Sequence, residues 1–156
     1  KGVKAAVADR LCEMGRFGQK TGAGYYRYEG NDRTPKPDAE VEKIISEVSA
    51  EMGITRRFIS DEEILQRLLY PMVNEGAKIL EEKLAIRASD IDVIYCYGFG
   101  YPRYRGGPMF YADTVGLPTV LARVNRYREQ FGDYWRPSPL LEKLAIDSRG
   151  FYGDAA

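Results

Sequence analysis

Lys20 is the first residue whose neighbours suggest a ligand. It stands in Gly18-Gln19-Lys20-Thr21-Gly22, where an ammonium beside glycines can approach an anion closely. The spacing is not that of a nucleotide phosphate loop, in which Lys-Thr follows the second glycine and opens a helix after a strand. On spacing alone, a solvated turn lysine is the simpler reading. Arg105-Gly106-Gly107-Pro108 is a second candidate, because it leads into a helix amino terminus and such ends hold anions. A tight turn feeding a helix with proline at its first position explains it equally well without a ligand. The third is an aromatic run, Tyr95, Tyr97, Phe99, Tyr101, Tyr104, Phe110 and Tyr111, with Arg103 and Arg105 among it. Aromatics with arginine can stack on bases, and they can equally build a helix or subunit interface. With 23 Lys and Arg against 23 Asp and Glu there is no basic excess, so packing is favoured and no nucleic-acid partner is expected.

Other chemistries lack their residues. The chain has no histidine, which removes the commonest general base, the commonest metal ligand and the His-dependent nucleophile systems. Cys12 and Cys96 have unrelated contexts and no metal-ligand spacing; two thiols suggest a reducing compartment. The acids Glu62-Glu63, Glu81-Glu82 and Asp90 with Asp92 are placed at helix starts or exposed faces, where they complement helix dipoles. No catalytic residue and no metal site is expected within the chain.

The elements that would position these residues are helical. Ala5, Val7, Ala8, Leu11 and Met14 form a weak stripe ending at Gly15. Gly30 to Asp38 is polar, carries Pro35 and Pro37, and reads as a linker. Val41, Ile44, Ile45 and Val48 then give an amphipathic helix stopped by Gly53. Ser60 with Glu63 opens the next, striped by Ile64, Leu65, Leu68, Leu69, Met72, Val73 and Ala77, with Pro71 inside it as a kink or local break. Ser89 is expected to cap a third helix, and Pro108, Pro118 and Ser138-Pro139 to open three more. Leu68, Leu69, Met72, Val73, Ile94, Leu121 and Val124 are expected to be buried together. No alternating strand falls between Asp38 and Ser148, so the fold expected is all-α. Gly24-Tyr25-Tyr26 is echoed by Gly150-Phe151-Tyr152, as if one repeat ended and a second followed.

The chain's 156 residues suffice for one ordinary domain, and 44% hydrophobic residues are incompatible with wholesale disorder. No apolar run approaches a bilayer span, so no membrane segment is expected. The first residues do not resemble a signal peptide, and the missing initiator Met suggests a fragment. Gly153-Asp154-Ala155-Ala156 is not a peroxisomal Ser-Lys-Leu-type address, and the expected location is the bacterial cytoplasm.

Three segments carry a family resemblance. Arg16-Phe17-Gly18-Gln19-Lys20-Thr21-Gly22-Ala23-Gly24-Tyr25-Tyr26 resembles the phrase closing the helical domain of 3-hydroxyacyl-CoA dehydrogenases. Gln66-Arg67-Leu68-Leu69-Tyr70-Pro71-Met72-Val73-Asn74-Glu75-Gly76 resembles that domain's opening helix. Asp90-Ile91-Asp92 through Gly98-Phe99-Gly100-Tyr101-Pro102 to Gly107-Pro108-Met109-Phe110-Tyr111-Ala112-Asp113 is similar to the second helical repeat of multifunctional fatty-acid β-oxidation enzymes. The resemblance implies residues 1–30 as the tail of a preceding helical repeat, 31–38 as linker, and 39–156 as the second repeat. It implies an all-α bundle like that family's C-terminal domain, with the NAD-binding Rossmann domain absent from this chain; no GxGxxG fingerprint occurs here. It implies a parent enzyme that oxidises 3-hydroxyacyl-CoA to 3-ketoacyl-CoA with NAD, and an isolated chain that is inactive. The lysine before Thr-Gly can reach NAD in the family, which maps to Lys20. The family's active-site Asn precedes Arg-Leu-Leu in the first repeat, whereas Gln66 holds that place here in the second, so no catalytic role passes to it. Acyl-CoA is the implied substrate partner. A homodimer is expected to cover surface around Phe17, Tyr25 and Tyr26 and from Tyr95 to Tyr111. The competing reading is a non-catalytic helical dimerisation or interaction module.

Overall fold

The chain divides into two compact units, Lys1–Phe58 and Ile59–Ala156, of which the computed structural model describes residues 5–154. In the first unit α1 (Ala6–Glu13) packs on α2 (Ala39–Glu51). Leu11 from α1 and Val41, Ile44 and Val48 from α2 form its small core, with Ala6, Val7 and Ile45 against it. The i, i+3, i+7 spacing in α2 is thus its buried face. Asp38 caps that helix by accepting the Glu40 N–H at 3.0 Å.

The contact division falls at residues 58 and 59, so α2 is grouped with α1. Residues 31–38 are not a free linker, and α2 belongs with α1 rather than with the second body. Arg27 and Lys36 exchange two backbone hydrogen bonds at 2.9 Å, and Lys36 pairs with Glu29 at 2.6 Å. The half-buried Arg16 guanidinium closes the unit by binding Asp38, Glu40 (2.8 Å) and the Gly24 carbonyl (3.0 Å). Prolines at 35 and 37 marked a loop correctly, yet these long-range pairs tie its ends.

The second unit is a bundle of α3 (Asp61–Glu81), α4 (Ala88–Gly98), α5 (Pro108–Val115), α6 (Leu117–Phe131) and α7 (Pro139–Ile146). A two-stranded hairpin, β1 (Arg149–Gly150) and β2 (Gly153–Asp154), follows, paired antiparallel with Arg149 opposite Asp154. The main core joins Tyr70, Val73 and Ala77 of α3 to Ala112, to Leu117, Val120, Val124 and Tyr127 of α6, and to Trp135, Leu141 and Ala145. A second cluster holds Ala88, Ile91 and Met109, and Phe151 packs against both. The all-α expectation therefore holds, and among the described residues no helix is long and apolar enough to cross a membrane.

Three local expectations change. α3 runs unbroken through Pro71, and its buried face is Gln66, Tyr70, Val73, Asn74, Gly76 and Ala77. Leu68 is 63% exposed and Ile94 is 56% exposed, so neither joins the core expected for them. Val73 and Ala77 of the expected stripe are in the core and Leu69 packs against it, whereas Ile64, Leu65 and Leu68 are exposed. α4 begins at Ala88, one residue before its expected cap. Arg87 has no acceptor to offer, and Asp90 reaches back from the first turn to take the Arg87 N–H at 3.0 Å. Ser60 and Ser138 do cap α3 and α7, accepting Glu63 N–H at 3.2 Å and Leu141 N–H at 3.0 Å.

Candidate functional site

Lys20 lies in the first unit on a 3-10 turn, Gln19–Thr21, between Gly18 (φ +92°) and Gly22 (φ +73°), both in a backbone region that favours glycine. The turn is held from both sides. Gly18 N–H donates to Ala23 O at 2.8 Å, and Tyr28 N–H donates to Gly22 O at 2.8 Å. The Thr21 hydroxyl accepts Phe17 N–H at 2.9 Å and lies 2.9 Å from the Ala23 carbonyl. Gly24 packs so close that a Cβ there would sit 2.8 Å from Gly18 Cα. The outcome is a stiff loop with an exposed lysine at its tip and no carboxylate partner for it among the described residues. An exposed, unneutralised ammonium on a fixed turn fits an anionic group such as a pyrophosphate.

The helix terminus after Arg105-Gly106-Gly107 already has its anion. Asp92 of α4 is buried, and its carboxylate accepts Met109 N–H at 2.7 Å and Phe110 N–H at 2.9 Å in the first turn of α5. The Tyr152 hydroxyl donates to the same carboxylate at 2.8 Å. Burial, together with the acceptor carboxylate of Asp92, drives the Tyr152 phenol well above its ordinary pKa, so it stays a donor. Gly107 makes the approach feasible, because a Cβ there would lie 2.4 Å from Asp92 Cγ. Asp92 therefore sits neither at a helix start nor on an exposed face. The sequence signal for it was negative: α5 opens with Gly-Gly-Pro and has no Ser, Thr, Asp or Asn of its own to cap it.

Gln66 is likewise committed. Its side-chain oxygen accepts the Tyr127 hydroxyl at 2.7 Å, and its amide donates to Glu62 at 2.7 Å. Asn74 clamps the chain before α7, donating to Arg136 O at 2.9 Å and accepting Ser138 N–H at 2.8 Å. Asp113 accepts Phe151 N–H at 2.8 Å and Tyr152 N–H at 3.0 Å, which fastens the hairpin. Among the described residues no buried side-chain nitrogen or oxygen lacks a hydrogen-bond partner, and no group of three His, Cys, Asp or Glu is placed to hold a metal. Buried polar groups so satisfied orient the helices they join.

Cavities flank the hairpin. One of about 490 Å³ is lined by Phe110, Leu117, Pro118, Tyr152 and the polar Asp113, Thr114, Ser148 and Arg149, and another of about 480 Å³ lies between Leu80, Arg87, Leu140, Leu144 and Phe151. Of the aromatic run, Tyr95 and Tyr111 pack inward, whereas Tyr97, Phe99 and Tyr104 stand in solvent. Burial, with Tyr111 and Asp92 nearby, pushes the Tyr101 phenol up to about 12. Lys20 lies in one compact unit and the aromatic run in the other.

The comparisons with known proteins agree with this architecture. Residues 64–150 match a family model described as 3-hydroxyacyl-CoA dehydrogenase, C-terminal domain. The chain is 47% identical over 141 residues to the peroxisomal bifunctional enzyme of Danio rerio, covering 88% of this chain and 20% of that protein. It is 49% identical over 142 residues to the peroxisomal bifunctional enzyme of Homo sapiens, covering 89% of this chain and 20% of that protein. The chain thus spans a minor part of the curated relatives it matches. The solved dehydrogenase part of multifunctional enzyme 1 from C. elegans superposes with a TM-score of 0.65 at 24% identity, covering 91% of this chain and 33% of that one, and supports the fold.

Proposed function

Because the chain belongs to the 3-hydroxyacyl-CoA dehydrogenase C-terminal domain family, we propose that it is the helical, non-catalytic part of an NAD-dependent dehydrogenase of fatty-acid β-oxidation. In the whole enzyme the 3-hydroxyl of an acyl-CoA is oxidised to a ketone; NAD, when bound, accepts the hydride. Residues 1–30 close one helical repeat in this reading, and the second unit is the following repeat. The observation that carries it is the complete internal use of the buried polar groups: Asp92, Asp113, Gln66 and Asn74 each fasten backbone or hydroxyl groups of neighbouring elements. Such a body can wall an acyl-CoA site and position neighbouring domains.

Lys20 is the residue of this chain that fits NAD, through charge contact with a phosphate group. It orients cofactor and moves no proton. Both named relatives are called peroxisomal, so the proposed compartment is the peroxisome in place of the cytoplasm expected from the sequence. The exposed Phe17 (61%), Tyr25 (50%) and Tyr26 (49%) are the surface of the first unit through which a homodimer would form. The test is NADH formation from a 3-hydroxyacyl-CoA by the entire gene product and by the 156-residue chain alone. Turnover by the whole and none by the chain is expected. Turnover by the chain, or none by the whole, overturns the reading.

A further inference from the structure

The hairpin that follows α7 has open space on both sides. A cavity of about 490 Å³ lies between it and the α5–α6 junction, and one of about 480 Å³ lies between it, α7 and the end of α3. Arg149, Gly150, Tyr152 and Gly153 line both, so the hairpin divides them. Among the described residues no backbone hydrogen bond joins β1 or β2 to a helix. The fastening is through side chains. Asp113 takes the Phe151 and Tyr152 amides at 2.8 and 3.0 Å, and Asp92 takes the Tyr152 hydroxyl at 2.8 Å. The Tyr152 ring stands edge-on to Phe110 with centres 5.9 Å apart, and the half-buried Phe151 packs against both apolar clusters.

The residue that leads into the hairpin is strained. Ser148 has φ +53°, in the left-handed region, where it and Lys83 are the non-glycine residues among those described. The corresponding places after α1 and α2 are Gly15 (φ +73°) and Gly53 (φ +65°), which adopt this region freely. A side-chain-bearing residue held there stores strain that is released when the chain swings away. The helix ladders survive that swing, because none of their bonds runs to the hairpin. A segment with space at both flanks, one half-buried apolar anchor and no share in the helix bonds can open without global unfolding. We propose that residues 149–154 form a strap that swings open as one body about Ser148 while α3 to α7 stay folded. Opening vacates the place of Phe151 and joins the two cavities into a single cleft, with Phe110, Leu117, Leu140 and Leu144 as its apolar walls. The device belongs to the second unit alone and holds whatever reaction the parent enzyme performs.

Hydrogen exchange of the whole gene product, resolved to single residues by mass-spectrometric fragmentation, tests this. The Phe151 and Tyr152 amides should show protection matched within about threefold, because one opening frees both. They should exchange at least about a hundredfold faster than the core amides of Val73 and Val120. Tyr152→Phe keeps the ring and removes only the bond to Asp92, and should speed exchange at both strap amides about tenfold. Val124→Ala, in the core, should speed Val73 and Val120 and leave the strap amides unchanged, since its contacts persist while the strap is open. If either variant fails to fold, the wild-type comparison decides alone. Strap amides that exchange only at the core rate, or that accelerate with Val124→Ala, open by global unfolding and overturn the proposal. A Tyr152 amide far ahead of Phe151 would mean fraying from one end and defeat it too, as would exchange indifferent to Tyr152→Phe.

Discussion

Asp92 and Gly107 are in contact across the α4–α5 junction, with the place of a Gly107 Cβ only 2.4 Å from the Asp92 carboxyl carbon. The carboxylate does for α5 what its own sequence cannot, satisfying two amides of its first turn. Gly107→Ala therefore meets a clash and an unfavourable φ of +102° together. It should destabilise the second unit by about 3 kcal/mol or more. Asp92→Asn, which keeps the shape but weakens charge-assisted bonds, should cost about 1.5–3 kcal/mol. Urea unfolding of both variants checks this, and an unchanged midpoint for Gly107→Ala would refute the contact.

Leu141→Ala and Leu68→Ala separate the true core from the face suggested by hydrophobic spacing. Leu141 is fully buried and its truncation should cost about 2–5 kcal/mol. Leu68 is mostly exposed and should cost less than about 0.5 kcal/mol in the isolated chain. Comparable losses at both positions in thermal or urea unfolding would place the second apolar side of α3 in the core after all.

Gln66 spends its side-chain oxygen on the buried Tyr127 hydroxyl at 2.7 Å. Gln66→Asn should break that bond and cost about 1–3 kcal/mol, because both groups stay buried without partners. Tyr127→Phe should cost a similar amount, and the double variant should cost less than the sum. In the whole gene product the exchange should leave kcat unchanged; a change in kcat without a change in stability would assign Gln66 a part in the reaction.

Arg16 lowers the pKa of Asp38, first through its side-chain hydrogen bond, with the Glu40 amide adding to the effect. A carboxyl whose folded pKa lies below its unfolded value contributes stability above the unfolded pKa and loses it as pH falls through the folded one. The first unit should therefore weaken below about pH 4. Hydrogen exchange at the Glu40 amide should report this, and Asp38→Asn should flatten the pH dependence. An unaltered profile in that variant would exclude Asp38 as its source.

Lys20→Ala tests the cofactor contact in the whole gene product. Loss of one exposed charge contact, on the order of 1 kcal/mol, corresponds to a rise of roughly fivefold in KM for NAD with kcat nearly constant. Lys20→Arg should retain most of the binding, and equal KM values for the wild type and the alanine variant would remove Lys20 from the cofactor site.

What was legible in the sequence was local. Ser60, Ser138 and Pro108 marked helix starts because caps act within one turn, and Val41, Ile44 and Val48 marked a face because a helix repeats every few residues. The polar fasteners were not legible. Asn74 meets Arg136 and Ser138, and Asp92 meets Met109, through the tertiary fold, and no short-range pattern announces such partners. The Arg27–Lys36 pairing and the Arg16 bridge across residues 31–38 likewise lie outside any periodicity. Lys20 was singled out by type and neighbours, and the hydrogen bonds of its turn came only with the fold.

The hairpin grip of Asp113 also sets an order of events during synthesis. Phe151 fills a place in both apolar clusters, and its amide and that of Tyr152 are the acceptor's partners. A nascent chain that has emerged only as far as α7 has α3 to α7 outside the ribosome, yet both clusters lack Phe151 and Asp92 lacks the Tyr152 hydroxyl. At translation rates of about 5–20 residues per second, that half-closed interval is brief but recurs with every molecule made. Ribosome pausing before Gly150 would lengthen it.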